Sequence, residues 1–192
     1  MNMDRLKPTR IAAIVSITLI SVVLGCGGSS GNGSGAGDPD ELTFSDAPAL
    51  ASAPATLPQL NGMNICENYR FGGRDIENLE VPDGRSCVLE PGVRIDGNVE
   101  LGSDSEFYAD GVFIGGNLQG QEARRVFLSH SVVGGSIQPE QGGEVTIVGT
   151  DVTGNIQLVQ NRGVLFVRDN DVNADIQVFQ NTGGASITDN QV

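Results

Sequence analysis

Gly97-Asn98-Val99-Glu100, Gly116-Asn117-Leu118-Gln119, Gly135-Ser136-Ile137-Gln138 and Gly154-Asn155-Ile156-Gln157 are four versions of one short phrase, and Ala174-Asp175-Ile176-Gln177 is a degraded fifth. They stand 19, 19, 19 and 20 residues apart. Three residues before each Asn-type position is an aliphatic side chain, at Ile95, Ile114, Val133, Val152 and Val172, and Val192 opens the same column once more. Between the phrases run alternating pairs: Phe107/Ala109, Val126/Leu128, Val145/Ile147, Leu165/Val167 and Ala185/Ile187. Chance does not keep several columns in register at once.

A repeat of this length with a period of two inside each segment describes one coil of short strands. Alternate residues enter a shared core, and coils stack about 4.8 Å apart. No coil buries its apolar face alone, so stability must come from the stacked neighbours. Leu79, Val81, Cys87 and Leu89 stand twenty residues before Val99, Leu101, Phe107 and Ala109, which marks an earlier, looser coil. The expected fold is therefore all-β, a single-stranded parallel β-helix of about six coils over residues 79–192, with residues 58–78 as an N-terminal cap. Parallel crossovers favour the right hand, although the short coil approaches the three-hexapeptide length of left-handed helices.

Ahead of the repeat the chain reads as an export signal. Arg5, Lys7 and Arg10 precede an apolar run from Ile11 to Leu24 that is too short to span a membrane. Its end, Val23-Leu24-Gly25-Cys26, resembles the lipobox of bacterial lipoproteins. The resemblance implies cleavage after residue 25, a diacylglyceryl thioether on Cys26 and a membrane partner reached through lipid; two or three acyl chains anchor stably where one does not. A plain signal peptide with an incidental cysteine is the alternative. Gly27 in place of Asp after the cysteine implies an outer-membrane destination in a cell that has one. Residues 26–57, Gly/Ser-rich and then Pro/Ala-rich, have too few large apolar side chains to fold alone and are expected to form a disordered tether.

Charge excludes one class of partner. The full chain carries −13, and removing residues 1–25 takes three of its 11 cations and one of its 24 acids, leaving −15. Such a surface repels phosphate backbones, so no nucleic-acid partner is expected.

The runs GNVEL, GGNLQG, GGSIQ, TGNIQLVQNRG and ADIQVFQNTGGASITDN resemble a group of uncharacterised secreted bacterial β-helix proteins, and more distantly the bactofilins, which polymerise. The resemblance covers roughly residues 64–192. It implies an architecture and no activity.

Once Cys26 is assigned to lipid, Cys66 and Cys87 remain as an even pair in an oxidising compartment, and a disulfide is expected between them. The single histidine, His130, falls in a turn between Ser129 and Ser131; a Ser-His-Asp arrangement would have to recruit its serine and acid from neighbouring coils, and there is no nucleophile-elbow sequence. Asp151/Asp171, Asp169/Asp189 and Asn170/Asn190 should stack as turn formers rather than as a calcium site. Gln119, Gln138, Gln157 and Gln177 should form an outward amide ladder. No cofactor or metal is implied. Tyr108, Phe127, Thr146 and Phe166 lie between inward columns, so alternation drives them outside. Tyr108, Phe127 and Phe166 then either mark a binding surface for a glycan or an envelope protein, or are covered by the tether or cap. Glu106, Arg125 and Glu144 should face one another as a charge ladder.

The function expected from these features is a lipid-anchored structural or adhesive module of the cell envelope without catalytic activity. The alternative is a glycan-binding or glycan-cleaving β-helix of the pectate-lyase type. Val192 opens a turn that leaves the coil at residues 172–191 uncovered, from which self-association through the C-terminal coil, as a homodimer, is expected.

Overall fold

The computed structural model describes residues 43–192; the expected signal peptide, Cys26 and the first part of the tether lie outside the described residues. From Met63 onward the chain winds seven coils around three parallel faces. The first face stacks Met63–Ile65, Leu79–Val81, Val99–Leu101, Leu118–Gln121, Ile137–Glu140, Ile156–Val159 and Ile176–Phe179. The second stacks Tyr69–Phe71, Ser86–Leu89, Glu106–Asp110, Arg125–Ser129, Glu144–Val148, Leu165–Arg168 and Ala185–Thr188. The third is built from two-residue strands, from Asp75–Ile76 to Asp171–Val172, and a bridge from Asp171 to Gln191 continues it. The only helical turn among the described residues is the 3-10 segment Phe44–Asp46.

The columns read from the sequence are the pairing register. Phe107 pairs with Val126, Val126 with Val145 and Val145 with Leu165; Ile114, Val133, Val152 and Val172 do the same on the third face. All of them belong to one continuous apolar lumen. The Gly-Asn phrase has a physical cause. Asn78 Oδ1 accepts from the backbone N–H of Asn98, Asn98 from that of Asn117, Asn117 from that of Ser136, Ser136 Oγ from Asn155 and Asn155 from Asp175. Each side chain thus ties its turn to the next coil. A Cβ on Gly116 would collide with Asn98 Oδ1 and the Gly97 carbonyl, which is why glycine precedes the asparagine.

Two boundaries differ from expectation. Residues 63–76, expected within a cap, form a complete first coil, which raises the count to seven. The strand Gln59–Leu60 folds back antiparallel on Met63–Ile65, and buried Leu57 packs into the end of the lumen. The second difference concerns the tether. Residues 43–57 are docked on the solenoid rather than disordered: Ala51–Ser52 pairs in parallel with Tyr69–Phe71, and Phe44, Ala47 and Leu50 pack on the outside of the second face. Pro/Ala-rich composition rules out an independent core, yet three apolar side chains and one strand pairing suffice to dock on a surface that already exists.

Cys66 and Cys87 form the expected disulfide, with Cα atoms 5.7 Å apart and both side chains fully buried in the lumen. The bond joins the end of the first coil's first strand to the second strand of the next coil.

Candidate functional site

The expected aromatic binding surface is corrected by burial. Tyr108, Phe127 and Phe166 do point away from the lumen, but they are only 0%, 5% and 7% exposed. Val88, Tyr108 and Phe127 form an apolar cluster of their own, which the strap at residues 43–52 covers with Phe44, Ala47 and Leu50. The Phe44 and Phe127 ring centroids are 6.2 Å apart, as are those of Tyr108 and Phe127. Cover, the other expectation for this column, is what Tyr108 and Phe127 receive. The strap is held at its start by Asp46, whose carboxylate accepts from Thr43 N at 2.7 Å and Thr43 Oγ1 at 2.9 Å. The backbone bond from Thr43 comes first among the causes that keep the Asp46 carboxyl below its ordinary value.

Alongside runs the expected charge ladder. Glu106, Arg125 and Glu144 are in register on successive coils, with Arg125 Nη1 3.6 Å from Glu106 Oε1 and Arg125 Nε 3.3 Å from Glu144 Oε2. Buried Glu106 also takes Arg124 Nη2 at 2.7 Å and Ser86 Oγ at 3.1 Å. Burial pushes the Tyr108 phenol up from its ordinary value, while the neighbouring Arg125 pulls the other way. The Tyr108 hydroxyl, though beside that guanidinium, lacks a hydrogen bond of proper geometry.

His130 sits in the turn after Arg125–Ser129 with a left-handed backbone, φ 46°, and an exposed side chain. Asp110 arrives from the preceding coil, in register with Ser129. Ser129 Oγ donates to Asp110 Oδ1 at 2.6 Å, and His130 Nδ1 lies 2.9 Å from the same oxygen. A serine nucleophile needs the imidazole between the hydroxyl and the acid. Here the acid stands between the other two, so the serine is tied down rather than activated. These side chains border a cleft of about 280 Å³ whose apolar surface comes from Phe44, Phe127 and Val148, with Arg168 on the same rim.

The outside of the first face carries the amide ladder. Gln119 Nε2 donates to Gln138 Oε1 and Gln138 Nε2 to Gln157 Oε1, each at 3.0 Å. Gln177 turns instead to Asp175 at 3.5 Å. Glu100, Gln121 and Glu140 join the ladder around an open groove of about 510 Å³. Glu100 and Glu140 are two coils and two residues apart, about 12 Å between backbone positions. The ladder amides stand between these two. The stacked Asn170 and Asn190 act as turn formers: Asn170 Oδ1 accepts from Thr150 N, its Nδ2 donates to Ile147 O, and Asn190 repeats the pattern one coil on.

Sequence reasoning placed His130 in its turn but did not bring Asp110 to it, although the 19-residue register puts Asp110 directly before Ser129. It also missed Phe44, Ala47 and Leu50, whose only signal is their apolar character in a polar stretch.

In comparisons with known protein families, curated proteins and solved structures, the chain matches none. What stands of the resemblance noted above is the β-solenoid repeat; it identifies no family.

Proposed function

We propose that the chain is an exported, lipid-anchored module of the cell envelope that acts as a rigid structural or adhesive element without catalysis. The observation that carries the proposal is the disulfide enclosed between the first two coils: such bonds form and persist chiefly in oxidising compartments, which an export signal preceding Cys26 would reach. Lipid on Cys26 would hold the solenoid at a membrane, outer in a diderm cell. Support for a structural role comes from the wiring of the acids. Asp110 restrains Ser129 instead of orienting His130 toward it.

Fractionation of cells making the wild-type chain and Cys26→Ala tests this. The wild type is expected in the membrane fraction, and the variant in the soluble extracytoplasmic fraction with Cys66 and Cys87 oxidised. Membrane retention of the variant, or two free thiols in either form, would count against the proposal. The second reading, glycan binding, is supported by the cleft beside His130, where Phe44 and Val148 meet Asp110.

A further inference from the structure

We propose that the cleft between the strap and the second face binds a single neutral sugar ring. Three features point to that ligand. Half-buried Phe44 packs at 45° over Phe127, itself only 5% exposed, and together with Val148 it makes an apolar corner. A pyranose presents C–H groups on its faces and hydroxyls around its edge, so it needs such a corner together with polar groups on the rim. The rim supplies them. The exposed His130 imidazole brings its Nε2 edge to the cleft, while Nδ1 lies 2.9 Å from Asp110 Oδ1. Asp110 Oδ1 receives both bonds, and its Oδ2 makes none among the described residues. Arg168 also lines the cleft. At about 280 Å³ the cleft is near the small end of ligand pockets, which suits one ring rather than an oligosaccharide.

Charge and polarity separate this ligand from its competitors. A hydrocarbon would leave the Asp110, His130 and Arg168 groups facing apolar surface. An anion meets Asp110 and a chain whose net charge is −13. The site goes beyond the proposed function: anchoring says how the module is held, the cleft what it would hold. Because the described residues that line the cleft belong to the strap and solenoid, its failure and the failure of anchoring are read in different experiments.

The chain has one histidine, so the imidazole C–H signals of His130 report on the cleft without assignment. The full chain in detergent would be titrated by NMR with glucose, galactose, mannose and N-acetylglucosamine, and with glucuronate and choline as charged probes. At least one neutral sugar is expected to shift the His130 signals saturably. Phe44→Ala should weaken that response about tenfold by removing one aromatic wall. Val148→Phe, at a half-buried outward position, should abolish it by filling the cleft while the strap stays in place. No saturable shift with any of the four sugars, a shift that survives Val148→Phe, or stronger binding of glucuronate or choline would overturn the assignment.

Discussion

Cys66 and Cys87 close a loop across a sequence separation of 21 inside a lumen that solvent does not reach. In the chain-entropy account such a loop contributes about 3 kcal/mol. The Cys66→Ala/Cys87→Ala protein is therefore expected to lose about that much in urea unfolding, with the solenoid intact; unchanged stability would contradict the account. Tyr108 gives a second prediction at this scale. Its ring fills the space under the strap, but its hydroxyl makes no hydrogen bond, so Tyr108→Phe should stay within about 0.5 kcal/mol of wild type or stabilise it. Burial raises the phenol above 10.0, so the folded protein keeps a proton that the unfolded chain sheds. That contribution is complete below pH 10.0 and is lost as pH rises through the folded value, a loss Tyr108→Phe should blunt in unfolding measured across the alkaline range. An identical alkaline decline in both proteins would refute it. The cysteine pairing was legible because two thiols remained for one bond. The burial of Tyr108 was not, because alternation tells which way a side chain points and not what lies over it.

At the scale of elements, two ladders that look alike in the sequence should differ in energy. Asn117 accepts a backbone N–H from the next coil at 2.7 Å in a half-buried turn, whereas Gln138 bonds only other amides on an open face. Losing Asn117 leaves the Ser136 N–H without its acceptor, so Asn117→Ala should cost about 1–3 kcal/mol, while Gln138→Ala should cost under about 0.5. Equal losses in chemical denaturation would contradict the distinction. The coils themselves were legible because glycine, amide and aliphatic columns repeat at one spacing. The first coil was not, since Asn64 pairs with Leu79 only 15 residues on and so falls out of the common register. The strap escaped for another reason: a segment that docks without forming a core has no periodicity to detect.

For the molecule as a whole, the two ends differ. Leu57 and the disulfide close one, while the last coil leaves Phe179 54% and Ile187 41% exposed. Among the described residues, Ile176–Phe179 and Ala185–Thr188 each pair on one side only. The central claim is that this solenoid is exported and held by lipid. It is tested most directly by the intact mass and N-terminal peptide of the protein purified from membranes. The account predicts a chain that begins at Cys26 and carries a diacylglyceryl thioether, with Cys66 and Cys87 oxidised. A chain that retains residues 1–25, or one that carries an unmodified Cys26, would contradict it.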